Sequence, residues 1–274
     1  MEQRTLDYKD GHLSYRVHGE GNAIVLLHGF GEESSVWRKQ LDLFPAHRLL
    51  IPDLPGSGSS DLVVNMSMEG LARSVLAILD AEKIDRCVMI GHSMGGYITL
   101  AFVDHYGERL SGFGLFHSTA YADTEEKKDT RRKGIQFIRQ YGALEFLKTS
   151  TPNLYAPEHS EARKALIEEH LASVHNFSAE ALVSYYEAMM ARPDRTHLLR
   201  TTELPVLFII GRHDTAVPFE DALQQSHMPR LSYIHILENS GHMGMVEEPE
   251  EAAKALISYI ELCETPLDKI KEEG

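Results

Sequence analysis

A serine hydroxyl works as a nucleophile only when a turn exposes it and a base lies within hydrogen-bond reach. Ser93 has the spacing for the first condition. It is centred in Gly91-His92-Ser93-Met94-Gly95-Gly96, directly after the apolar run Cys87-Val88-Met89-Ile90. A strand, then Gly-x-Ser-x-Gly, then a helix describes a nucleophile elbow, a turn sharp enough to lift the hydroxyl above a sheet. The serine of such a turn takes positive φ and is crowded by the residues two before and two after. Gly91 and Gly95 bring no Cβ to that crowd, and Gly96 lets the following helix close on the strand. Strain of this kind gathers at chemical sites, not in ordinary loops.

Two later segments hold the matching acid and base. Val206-Leu207-Phe208-Ile209-Ile210 runs into Gly211-Arg212-His213-Asp214, and Tyr233-Ile234-His235-Ile236-Leu237 runs into Glu238-Asn239-Ser240-Gly241-His242. Loops that follow the strands of a parallel sheet open on one edge, so Ser93, Asp214, His242 and the segment His28-Gly29-Phe30 are expected to converge. Ser93 Oγ would attack a carbonyl carbon. His242 would take its proton and pass it to the leaving group, and Asp214 would fix the imidazole. Asp123, beyond the run Leu110–Phe116, is the alternative carboxylate. Asp53 is expected to brace a loop, Trp37 to sit in the core, His92 to point into helix packing and His213 to be structural. His117 and Ser118, at a strand end, and Met189-Met190, on a helix, are candidates for the pocket wall.

The elements that position these groups alternate. Thr5–Tyr8 and His12–Val17 read as a hairpin turning at Lys9-Asp10-Gly11. Ala23–Leu27, His47–Ile51, Cys87–Ile90, Leu110–Phe116, Val206–Ile210 and Ser232–Leu237 read as strands. Helices are expected near Ser34–Ser35, carrying Trp37 and Leu41; from an N-cap at Ser67 through Leu79; over Met94–Tyr106; and after Pro249, with Ala253, Leu256, Ile257 and Ile260 on one stripe. This rhythm implies a mostly parallel sheet covered on both faces. It breaks between Thr119 and Arg200, which reads as helices only: Glu125–Tyr141, Leu144–Lys148, Ser160–His175 and Ser178–Ala191. The expected division is a core of residues 1–118 and 201–274, with residues 119–200 as an all-helical cap over the carboxyl edge of the sheet. The charged run Glu125–Lys133 is expected to be a solvated helix face.

With 274 residues, 43% of them apolar and 25% charged, the chain is of ordinary globular composition. A net charge of −14 argues against a nucleic-acid partner. No apolar run is long enough to span a bilayer, and the polar start Met1–Asp7 has no secretory pattern. The two cysteines, Cys87 and Cys263, suggest neither a disulfide framework nor a metal site. A cytoplasmic location, with no metal and no cofactor, is the expectation. Oligomeric state is not legible.

His28-Gly29-Phe30-Gly31, Asp53-Leu54-Pro55-Gly56-Ser57-Gly58-Ser59, the elbow, Gly211-Arg212-His213-Asp214 and Ser240-Gly241-His242 together resemble the α/β-hydrolase superfamily, in its esterase, lactonase and haloperoxidase-like group. The resemblance implies an α/β-hydrolase fold. It also implies an oxyanion hole of two backbone N–H groups, from Phe30 and from Met94, the residue after the nucleophile. His28 would brace that loop, and His28 and Gly29, with His117 and Met189, would border the pocket. The activity implied is a serine hydrolase acting on a small or medium carboxylic ester, lactone or thioester, with a small-molecule acyl compound as its partner. A carbon–carbon bond hydrolase on the same triad is the alternative, as is a menaquinone-pathway-type lyase. That branch shares the His-Gly-Phe loop and Ser-Met-Gly-Gly elbow but carries an Arg where this chain has Tyr97. A small-ligand receptor with little turnover is the alternative of another class.

Overall fold

The computed structural model describes residues 1–9, 11–157, 161–174 and 176–265. Its centre is an eight-stranded sheet: β1 (Glu2–Tyr8), β2 (Gly11–His18), β3 (Asn22–Leu27), β4 (His47–Pro52), β5 (Cys87–His92), β6 (Leu110–Phe116), β7 (Val206–Gly211) and β8 (Ser232–Leu237). The spatial order is β1-β2-β4-β3-β5-β6-β7-β8. β1 and β2 pair antiparallel, as do β2 and β4, and every other neighbouring pair is parallel. The hairpin is therefore present, although Asp10 of its expected turn lies outside the described residues.

The central strands β5 and β7 are buried at every position, as continuous apolar runs must be when helices cover both faces. α1 (Met68–Ala81) and α2 (Met94–Tyr106) lie on one face, and α10 (Pro249–Glu264) lies on the other with a 3₁₀ helix over Ser34–Leu43. Ser67 caps α1 by accepting from Gly70 N–H at 3.1 Å. Trp37 is fully buried on the α10 face, edge-on to Phe116 at 5.5 Å.

Between β6 and β7 the chain forms α3 (Glu125–Tyr141), α4 (Ala143–Ser150), α5 (Glu161–Ser173), α6 (Ala179–Ala191) and α7 (Thr196–Thr201). Thr124 and Ser178 cap α3 and α6 with their hydroxyls. Ser160 and His175, the expected limits of the third of these helices, lie outside the described residues. α7 was not expected, and neither were α8 (Phe219–Ser226) and α9 (Gly244–Glu247), because pieces of four to eight residues show too few periods for a stripe to stand out. Among the described residues no helix is long and apolar enough to cross a membrane.

Candidate active site

Ser93 stands between β5 and α2 with φ 50° and ψ −116°. Its N–H donates to the Phe116 carbonyl at 2.9 Å, and its own carbonyl accepts from Gly96 N–H at 2.9 Å and from Ser118 Oγ at 2.7 Å. A Cβ on Gly91 would lie 2.2 Å from the Gly95 carbonyl carbon, and one on Gly95 would lie 2.6 Å from the Leu27 carbonyl oxygen. The turn is thus wedged between the ends of β3 and β6, which hold Ser93 in a conformation that L residues avoid. Met94 opens α2, so its N–H is among those without an acceptor inside the helix.

Asp214 and His242 come together beyond β7 and β8. His242 Nδ1 lies 2.8 Å from Asp214 Oδ2, while Asp214 Oδ1 accepts from Ala216 and Val217 N–H, both at 2.9 Å. A second imidazole meets the same acid: His117 Nδ1 is 3.3 Å from Asp214 Oδ2. His117 is buried and has φ 48°. Gly244 N–H donates to its Nε2 at 3.2 Å, and Gly211 N lies 3.1 Å from Nδ1. Placing the ring hydrogen on Nδ1 serves the ionised carboxylate, the acceptor costliest to leave alone.

Burial pushes the Asp214 carboxyl up, but the charge of His242 and the hydrogen bonds of both imidazoles outweigh it and hold the group well below the usual carboxylate range. Burial pulls His242 down, yet the charge and hydrogen bond of Asp214 prevail and raise it above its ordinary 6.5. Burial wins at His117, which falls to about 4 despite Asp214 and stays neutral over the physiological range.

Buried acids fix the surrounding loops. Glu247 Oε2 accepts from the N–H groups on either side of His242, Gly241 at 2.8 Å and Met243 at 3.2 Å, and Oε1 accepts from Ala156 N–H at 2.8 Å. Glu32 Oε2 accepts from Gly29 N–H at 2.7 Å and lies 2.9 Å from His92 Nδ1, while His92 Nε2 lies 2.8 Å from the His242 carbonyl oxygen. His92 therefore bridges the loop after β3 to the backbone of His242, and the expected place in helix packing is corrected. Burial would raise Glu32, but contact with His92 and the Gly29 N–H holds it at about 2. Sequence reasoning missed both acids, which become recognisable only when loops distant in the chain are seen side by side.

Ser93 and His242 both face one cavity of about 160 Å³, with Phe30, Tyr97, Arg131, Tyr186 and Met189 on its wall. The Phe30 ring stacks on Tyr186 with centroids 4.3 Å apart and planes 7° from parallel. Met189 reaches the wall as expected, but His28, Gly29, His117, Ser118 and Met190 do not. His28 is fully buried beneath the loop. Its Nε2 accepts from Leu54 N–H at 2.9 Å, and its Nδ1 is 2.8 Å from the Gly29 carbonyl, so it braces the loop. Gly29 is buried between Glu32 and His92, and His117 sits behind Asp214. Asp53 also braces a loop, accepting from Ser34 N–H at 2.9 Å and Ser59 N–H at 3.1 Å.

Asp123 is engaged elsewhere, with Arg131 Nε at 2.6 Å and Arg192 Nη1 at 2.9 Å, so the alternative acid does not face His242. Arg131 in turn departs from the expected solvated face of Glu125–Lys133 by turning inward. His213 is exposed at its side chain, and its N–H donates to the Ser240 carbonyl at 2.9 Å. Among the described residues no group of three His, Cys, Asp or Glu side chains is disposed to hold a metal ion. The arrangement joins a strained hydroxyl, an acid-backed imidazole and a helix N-terminus at one small cavity, the parts acyl transfer requires.

The chain belongs to the alpha/beta hydrolase family, whose profile matches residues 24–255. It is 29% identical to a 2-hydroxy-6-oxononadienedioate/2-hydroxy-6-oxononatrienedioate hydrolase of Burkholderia vietnamiensis, with 90% of each chain covered. It is 25% identical to a 2-hydroxy-6-oxo-6-phenylhexa-2,4-dienoate hydrolase of Comamonas testosteroni, with 93% of each covered. Among solved structures, a thermophilic esterase from Thermogutta terrifontis, malate-bound, superposes with a TM-score of 0.90 at 25% identity, covering 97% of this chain and all of that one.

Proposed function

We propose that this hydrolase cleaves small or medium carboxylic esters through an acyl-enzyme on Ser93. Ser93 Oγ attacks the ester carbonyl as His242 takes its proton. The tetrahedral oxyanion accepts from the N–H groups of Phe30 and Met94. Its collapse expels the alcohol, protonated by His242. Water, deprotonated by the same imidazole, then attacks the acyl-enzyme and releases the acid and free Ser93. Asp214 stabilises the imidazolium in both halves, and each oxyanion donor is worth about 3–4 kcal/mol in the transition state. Residues 119–200 serve as the cap, supplying Arg131, Tyr186 and Met189 to the cavity.

The single observation that carries this reading is that Ser93, at positive φ, shares a cavity with an imidazole paired to a buried carboxylate. The test is steady-state release from p-nitrophenyl acetate and butyrate beside Ser93→Ala. Sustained release that vanishes in Ser93→Ala is the expected result. A single stoichiometric burst without turnover would overturn it in favour of a ligand receptor.

A second reading, hydrolysis of a carbon–carbon bond, draws on similarity over nine-tenths of the chain to the two dienoate hydrolases. A 2-hydroxy-6-oxodienoate assayed beside the esters decides between them. Turnover of the dienoate with higher kcat/KM than any ester would make the second reading the better one.

A further inference from the structure

The inward stripe of α3 carries a charge where packing alone would place a hydrocarbon. Ile135 and Ile138 are buried on that helix. Arg131 precedes them by four and seven residues, so it shares their face. Its side chain is only 19% exposed, whereas that of its neighbour Arg132 is 52% exposed. Arg131 lines the cavity that holds Ser93 and His242.

A cation buried for structural reasons is matched by an acid of its own. Here the acid is shared. Arg131 donates from Nε to Asp123 Oδ2 at 2.6 Å and from Nη2 to Oδ1 at 3.3 Å, and Arg192 Nη1 lies 2.9 Å from the same Oδ1. The Asp123 side chain is fully buried and that of Arg192 is 3% exposed. Two guanidinium charges against one carboxylate leave this cluster with one net positive charge, and Arg131 is its member on the cavity wall. Aromatic faces soften it without cancelling it: Arg131 lies over Tyr186 at 5.4 Å and Arg192 over Tyr97 at 3.8 Å. Among the described residues Arg131 Nη1 has no hydrogen-bond partner. The other charged wall residue, Glu32, is ionised and repels anions from its part of the cavity.

We propose that Arg131 is a carboxylate-binding subsite, and that the substrate is a short ester carrying a second, ionised carboxyl group, such as the monoester of a dicarboxylic acid. The free carboxylate supplies the missing counter-charge and accepts from Nη1. It lies away from Glu32, which fixes the direction in which the ester enters. The wall formed by Phe30, Tyr97, Tyr186 and Met189 bounds the length of the acid. This inference builds on the ester-hydrolase reading and names its substrate class.

The experiment compares monomethyl succinate, glutarate and adipate with neutral methyl esters of matched length, using the wild type, Arg131→Gln and Arg131→Lys. The wild type is expected to favour the half-esters at least tenfold in kcat/KM, chiefly through KM. That ratio should fall to near one in Arg131→Gln and be partly restored in Arg131→Lys. A wild type indifferent to the carboxylate, or a ratio unchanged in Arg131→Gln, overturns the proposal. Calorimetric binding of glutarate to Ser93→Ala, with and without Arg131→Gln, separates this inference from the ester reading. Binding that requires Arg131 supports the subsite even where no ester turns over. No binding, together with no half-ester preference, overturns it.

Discussion

The sheet edge and the helical stretch between β6 and β7 both face the cavity, and they hold their polar groups by different means. At the edge, each group follows a strand and is fixed by backbone N–H bonds to buried acids: Asp214 takes those of Ala216 and Val217, Glu247 those of Gly241 and Met243, Glu32 that of Gly29. In the helical stretch, Arg131 projects from the second turn of α3 and is fixed by side chains alone, Asp123 and the Tyr186 ring. Main-chain anchoring leaves a reacting atom little freedom. Side-chain anchoring lets the wall change by substitution while the sheet stays as it is. In the proposed mechanism reactivity belongs to the edge and selectivity to the helices.

Four experiments can break or sharpen that division. Asp214→Asn should cost on the order of 10⁴ in kcat, since an amide favours the wrong imidazole tautomer; a loss below tenfold in ester kinetics would remove Asp214 from the chemistry. Asp123→Asn should act on the fold, because it leaves two buried guanidinium groups without their carboxylate. About 3–5 kcal/mol of stability is expected to go, read from the denaturant midpoint. A 10⁴ loss of turnover at unchanged stability would instead make Asp123 the acid.

His117→Asn tolerates positive φ but is too short to reach Asp214. A hydrogen bond to a charged group contributes about 1.5–3 kcal/mol, so kcat/KM should fall roughly tenfold or more. The pH midpoint should rise, because Asp214 then acts on His242 alone. An unmoved midpoint would reduce His117 to packing. The smallest effect is the wild-type pH profile. The Asp214 carboxylate raises His242 above 6.5, so kcat/KM should climb with pH through a midpoint above that value; a midpoint below 6.5 contradicts the pairing. The sign reverses for Glu32. Its folded value of about 2 lies below 4.5, so its contribution to stability is full above 4.5 and is lost as pH falls toward 2.

Legibility followed the same divide. The elbow could be read because Gly91, Ser93 and Gly95 are local in sequence and each answers a steric demand of one turn. Asp214 and His242 could be read because parallel strands send their following loops to one edge. Glu32, Glu247 and the bridging role of His92 could not, since His92 and the His242 carbonyl it meets are 150 residues apart. Arg131 was obscured by its neighbours, sitting in a run of charges on a helix whose buried residues are only Ile135 and Ile138. His117 was placed on the pocket wall because a strand end points toward the edge, and the turn at φ 48° sends its ring behind the acid instead.

The stack of Phe30 on Tyr186 has a consequence for how this enzyme can diversify. In the proposed mechanism Phe30 contributes a backbone N–H, while its ring, on the cavity wall, stacks on Tyr186 of α6. On that mechanism, remodelling the helix to admit a bulkier compound would tilt the peptide proposed to stabilise negative charge. The proposed mechanism thus gears turnover speed to substrate range at this wall, so that widening one requires retuning the other.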